Sequence, residues 1–301
     1  MSRPSLVAMG APALFVFLWS TGFISAKLAL PHIEPMTFLT LRFAVVALGF
    51  LGLVLWLGLR WPSPVAMLHQ LMAGLLLHAV YLGGVFVAID QGVEAGASAL
   101  VVGLQPLLVA AVAAPLLGEA VGWRQWLGLA LGILGVGLVV AEKLGAGMGT
   151  TAGIAFATAA LLGITLGTLY QKRYARGVDI RVGNVIQFAA AAVASGAAAL
   201  AFETGRIDWQ PALVVALLWS IVVLSFGAVS LLLWLIAKGA ASRVSTLFFL
   251  VPPTTALMAW LLFDERLPPL ALAGMVVAAL GVALVNLPAA RASPHRDQPR
   301  R

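Results

Sequence analysis

Hydrophobic positions in this chain come in long blocks, and polar residues gather mostly in the short gaps between them. Ten blocks can be drawn, at residues 8–30, 36–58, 68–90, 95–117, 124–141, 151–172, 182–202, 210–236, 243–263 and 268–287. Each runs for about 18 residues or more, enough for a helix to cross a hydrocarbon layer roughly 30 Å thick. The short gaps suit neighbouring helices that run antiparallel. The pattern predicts an all-α, polytopic membrane protein with ten transmembrane helices.

Composition agrees. The chain is 62% hydrophobic and only 10% charged, more apolar than a soluble protein that must also cover its own surface. The first block begins near Ala8, after a single basic residue, Arg3. It lacks the short core and small-residue cleavage site of a signal peptide, so a retained span is predicted. Without cysteine there is no disulfide or thiolate metal site.

The net charge of +7 points to membrane orientation rather than nucleic acid, because of where the charges fall. With the N-terminus inside, the cytoplasmic segments carry 13 Lys and Arg residues and the outer segments carry 4. Both termini are therefore expected in the cytoplasm. The basic tail over 289–301 is expected to be disordered.

The blocks also repeat. Gly92, Ser98 and Pro106 recur at an offset of 147 as Gly239, Ser245 and Pro253. Glu119, Gly128 and Gly135 recur at 146 as Glu265, Gly274 and Gly281, and Gly22, Lys27 and Phe43 recur at 145 as Gly167, Lys172 and Phe188. Two copies of one five-helix unit are predicted, over 1–145 and 146–288. Five is odd, so the second copy enters from the opposite side. Inverted repeats of this kind mark secondary transporters, whose site lies near mid-membrane between the halves and often at broken helices. Pro106 in the fourth block and Pro252-Pro253 in the ninth are the predicted kinks or gates.

Trp-Ser-x-Gly-Phe at 19–23, Leu-Arg-Phe at 41–43 and the Pro-x(8)-Pro-Leu-Leu-Gly-Glu of 106–119 stand in order ahead of a glycine-rich fifth block. This set resembles the EamA type of the drug/metabolite transporter superfamily over roughly residues 10–288. The resemblance implies ten helices in two inverted halves and export of small metabolites, amino acids among them. Gln187 stands where the first copy has Arg42, and Pro252 where it has Gln105, so the second copy departs from the pattern.

Polar side chains are costly in lipid and should face the bundle interior. On that ground Trp19, Ser20, His78, Tyr81, Gln105, Thr165, Trp234 and Phe248 are the candidate substrate contacts. His78 and Tyr81 fall on one helical stripe with Gly74 and Val85, and Ser98 and Gln105, seven apart, share a face. The competing reading is that the Ser and Thr hydroxyls bond within their own helices, and that His78 donates to a neighbouring carbonyl. Arg42 is read as structural, pairing with a carbonyl or snorkelling outward. Trp56, Trp61, Trp123 and Trp126 are read as interfacial anchors. The glycine faces of the fifth and tenth blocks are expected to pack the two halves together; a homodimer seam is the other reading, beside a monomer.

All eleven acids fall at span ends, in loops or in the tail, so no buried carboxylate is placed to carry a proton. There is no phosphate-binding G-x-x-x-x-G-K-[ST] loop, no H-E-x-x-H and no paired mid-membrane Asp. No cofactor, metal or nucleic acid is implied, and no enzyme. The partners expected are the lipid bilayer and a small-molecule substrate. The leading reading is an inner-membrane exporter of amino-acid-like metabolites working by alternating access, with a carrier for a purine, sugar or quaternary drug as the alternative and an intramembrane enzyme or a structural membrane partner behind them.

Overall fold

The computed structural model describes residues 6–109, 112, 123–145, 150–228, 231, 248–265 and 268–286. Among these residues the structure is helical, with one isolated bridge between Ile33 and Ile207. The helices are α1 (Leu6–Ala29), α2 (Pro35–Trp56), α3 (Pro64–Asp90), α4 (Ala95–Val109) and α5 (Trp123–Gly145), then α6 (Thr151–Tyr174), α7 (Ile180–Phe202), α8 (Pro211–Ala228), α9 (Val251–Phe263) and α10 (Pro269–Asn286). By length and composition α1, α2, α3, α6, α7 and α8 can each cross a membrane, and α4, α5, α9 and α10 hold shorter apolar stretches. One helix answers to each block of the sequence pattern.

Their ends follow from local chemistry. Proline opens α2, α3 and α8, where its missing N–H and fixed φ cost nothing. Thr150 caps α6 by accepting from Gly153 N at 3.0 Å, and Asp179 caps α7 by accepting from Arg181 N at 2.9 Å. Gly92 and Gly177 take positive φ just after α3 and α6, the left-handed turn that ends a helix.

Packing repeats with the sequence. Each of α2, α4 and α5 packs on its own counterpart, α7, α9 and α10. Likewise α1 lies against α8 and α9, as α6 lies against α3 and α4. Exchanging the halves leaves this pattern unchanged, which is what a two-fold relation requires. Each half carries five helices, and for an odd number of crossings a two-fold that exchanges the halves lies in the membrane plane.

The glycine faces show the same exchange at atomic scale. A Cβ on Gly135 would stand 2.4 Å from the Gly274 carbonyl, and one on Gly281 would stand 2.5 Å from the Gly128 carbonyl. Those two contacts map onto each other at the offset of 146. Small residues let α5 and α10 approach to backbone contact within one chain.

Two further features bear on the site. First, α4 breaks at Gly103–Leu104, and α9 starts at Val251 after a 3₁₀ turn over Phe248–Leu250. The breaks correspond at an offset of 147, and both prolines follow directly. They also meet, because a Cβ on Gly103 would stand 2.9 Å from Pro252 Cγ. Second, α3 is a π-helix over Leu75–Val80 and α8 over Trp219–Ala228, again at corresponding positions. Such wide turns are rare and are frequently found at functional sites.

Candidate functional site

The site is assembled around the π segments. His78, near the middle of α3, stacks on Phe188 of α7 with ring centroids 4.2 Å apart and also lies 5.9 Å from Phe43 of α2. The Gln187 side chain is its polar neighbour. Gln187 Nε2 in turn donates to Gln70 Oε1 at 2.7 Å, and Gln70 Nε2 donates to the Ala175 carbonyl at 3.0 Å. His78 is thus held by a ring and an amide, both from α7.

Arg42 occupies the corresponding arrangement from the other half. Its Nε and Nη2 donate to Ser225 Oγ of α8 at 3.4 and 3.3 Å. Arg42 and Gln187 correspond across the repeat, as do Ser225 and His78. So Arg42–Ser225 and Gln187–His78 are one contact written twice with different chemistry. This corrects the reading of Arg42 as an outward-snorkelling or carbonyl-bound residue. Its side chain turns inward because α8 offers a hydroxyl there, and it is only 6% exposed.

Tyr81 completes the group, lying close enough to interact with both Arg42 and the Trp19 side chain of α1. Trp19 also packs edge-on against Phe248, at the 3₁₀ turn before α9, with centroids 5.2 Å apart. Phe15 closes that trio at 5.3 Å from Phe248 and 5.4 Å from Trp19. Trp19, Tyr81, His78 and Phe248 therefore join one continuous chain of contacts, running from the α9 break through the Arg42 guanidinium to the α7 ring.

The remaining candidates stand apart from that chain. Ser20 is fully buried and donates to the Val16 carbonyl at 2.8 Å and the Val251 carbonyl at 3.3 Å, so it ties α1 to the start of α9. Thr165, its counterpart at an offset of 145, donates to the Leu161 carbonyl at 2.7 Å. Both hydroxyls use the bond to the carbonyl four residues back that polar residues in apolar helices adopt. Gln105 Nε2 donates to Thr168 Oγ1 of α6 at 3.3 Å, beside Pro106. The heptad spacing that put Ser98 on the Gln105 face does not carry across the break at Gly103–Leu104, and Ser98 is buried with no hydrogen-bond partner among the described residues.

An apolar cavity of about 240 Å³ sits behind the breaks, walled by Leu100, Gly103, Leu104, Pro252, Pro253 and Met275. The polar group does not line it. Trp234, Ser230, Ser245, Glu119 and the basic tail lie outside the described residues.

Arg42, Thr168, Gln187 and Ser225 are the polar neighbours that spacing did not single out as contacts. For Arg42 a signal existed, since an arginine inside an apolar span is by default a functional-site hypothesis.

The EamA-like transporter family model matches this chain twice, over residues 7–141 and 151–287. The chain belongs to the EamA-like transporter family. It is a multi-pass membrane protein of a transporter family, not of an enzyme family. This EamA-like transporter is 26% identical to the "Uncharacterized transporter YvbV" of Bacillus subtilis, covering 91% of this chain and 90% of that one. It is also 26% identical to the "Probable amino-acid metabolite efflux pump" of Escherichia coli, over 89% and 91% of the two chains. A solved crystal structure of a protein shares its fold, with a TM-score of 0.63 at 20% identity over 96% of this chain and all of that one.

Proposed function

We propose that this EamA-like transporter exports small amino-acid-like metabolites across the cell's inner membrane by alternating access. The observation that carries the reading is the composition of the central group. A guanidinium, an imidazole, a phenol and an indole converge from α1, α2 and α3, and α8 adds a hydroxyl, with no carboxylate paired to the group among the described residues. Such a group offers donors and flat rings, which suit a small solute with a polar head and an apolar body. The efflux pump of Escherichia coli, named for amino-acid metabolites, supports the same substrate class. This reading has both termini in the cytoplasm, which the bias of 13 to 4 basic residues supports; a cysteine at Arg206 should react with a membrane-impermeant reagent in intact spheroplasts, and one at Arg176 should not.

Counterflow of radiolabelled amino acids into proteoliposomes tests the reading. At least one neutral amino acid should exchange. His78→Ala and Gln105→Ala should each slow that exchange roughly tenfold or more at equal membrane abundance. Exchange of none of them, or parental rates in both variants, would overturn it.

A further inference from the structure

We infer that Arg42 and Ser225 form the seat for a carboxylate carried by the substrate, so that the transporter selects solutes bearing this group. The inference rests on the transport reading above and sharpens it to a chemical class. Arg42 is only 6% exposed within the bundle, on a helix that crosses the membrane. A guanidinium is always charged, and burying a charge without a counter-ion is among the costliest arrangements a protein can hold.

Yet no counter-ion stands beside it among the described residues. Among the described residues no carboxylate pairs with Arg42, and the eleven acids of the chain fall at span ends, in loops or in the tail. Among the described residues its hydrogen bonds both go to one neutral oxygen, Ser225 Oγ, at the long distances of 3.4 and 3.3 Å. Ser225 spends its own proton on the Ser220 carbonyl at 3.0 Å, five residues back in the π segment. Its oxygen therefore faces Arg42 purely as an acceptor, and most of the five N–H donors of Arg42 have no partner among the described residues.

The other neighbours leave the same gap. Tyr81 and His78 can share hydrogen bonds with a solute but do not supply the negative charge. A planar carboxylate fits the fork of a guanidinium with two parallel bonds. It would bring the missing charge and give the protein its ion pair only while substrate is bound. A quaternary amine would meet the same guanidinium as repulsion. The arrangement thus separates acids from cations before any side-chain fit is considered.

The test uses the purified full-length protein and pairs of probes differing only at this group: L-phenylalanine, L-methionine and L-threonine against their carboxamides. At least one acid should raise the unfolding temperature and drive counterflow, with its carboxamide at least tenfold weaker. In Arg42→Gln that acid should fall to the level of its carboxamide, while Arg42→Lys keeps part of the difference. Equal response to acid and carboxamide in the parent overturns the inference, as does an Arg42→Gln variant that binds the acid like the parent. If Arg42→Gln fails to fold, the parental acid-against-carboxamide comparison decides alone. Counterflow of a purine, a sugar or a quaternary amine with no response to the acids sinks the carboxylate seat and leaves transport standing. Acid-specific stabilisation without counterflow of any solute does the reverse.

Discussion

Phe43 and Phe188 hold corresponding places in the two halves and meet ring to ring, their centroids 5.9 Å apart. A residue can touch its own counterpart only where the symmetry axis passes. The axis therefore runs between α2 and α7, beside His78, which stacks on Phe188. Both rings are almost fully buried. Truncating either one opens a cavity that neither half can fill by itself. Phe43→Ala and Phe188→Ala should each cost about 3–5 kcal/mol of stability. The drop should appear as an earlier midpoint in a denaturant titration of the purified protein. Phe202→Ala, on a side chain that is 88% exposed, should leave the midpoint in place.

The α5–α10 contact is less forgiving. At Gly135 and Gly281 any Cβ would stand within 2.5 Å of a backbone carbonyl on the opposite helix, and a carbonyl cannot rotate aside as a side chain can. Gly135→Val and Gly281→Val should therefore push the helices apart, costing at least about 1–3 kcal/mol and reducing the yield of monodisperse protein. Gly137→Ala, with nothing within 4 Å of the new methyl, should purify like the parent. Near-parental yield from both valine variants would mean that the helices do not make this contact.

How much of this was legible in the sequence depended on whether the signal was local. Pro106 marks the break in α4 and Pro252-Pro253 the start of α9, because a missing N–H acts within one turn. The glycine faces of α5 and α10 announced a close contact for the same reason. The π segments left no such mark. The Gly74–His78–Tyr81–Val85 stripe assumed 3.6 residues per turn, whereas Leu75–Val80 winds wider. Within that stripe Gly74 packs on the Gln187 backbone while Tyr81 reaches toward Trp19. Arg42 is a different case: the residue was conspicuous, but its direction was set by Ser225, 183 positions away. No spacing rule within α2 could supply that partner.

The loops hold a tie of their own, also out of reach of local pattern. Glu34 accepts from Thr204 N at 3.0 Å and Arg206 N at 2.8 Å, while Glu203 accepts from Met36 N at 2.6 Å and Thr37 N at 2.8 Å. The α1–α2 and α7–α8 connections are thereby cross-strapped. The bond from the Thr204 backbone, foremost, holds the Glu34 carboxyl below its ordinary 4.5. A lowered folded-state value means this contribution is present above about pH 4.5 and is lost as pH falls through the lowered value. The unfolding temperature should respond accordingly, with Glu34→Gln less stable than the parent at pH 7 and the difference shrinking on acidification below pH 4.5. A difference that grows as the pH falls would contradict the strap.

Lys27 Nζ lies 2.9 Å from Glu265 Oε1, and the same oxygen is 3.5 Å from Ala95 N. One carboxylate thus gathers the ends of α1, α4 and α9 on a single face of the bundle. Lys27 corresponds to Lys172 and Glu265 to Glu119 in the repeated sequence, and Glu119 lies outside the described residues. Alternating access then predicts that the first pair must part when that face opens. Partly exposed pairs of this kind are worth only about 1 kcal/mol or less, small enough to break in each cycle yet able to shift a population several-fold. Cysteines at 27 and 265 test the point in a chain that has none of its own. Bridging that pair with a bis-methanethiosulfonate crosslinker should abolish counterflow, and reduction should restore it. Lys27→Glu or Glu265→Lys alone should slow exchange several-fold, and the two together should recover most of the rate because the charges again match. Full counterflow through the crosslinked protein would show that this face never opens at α1 and α9.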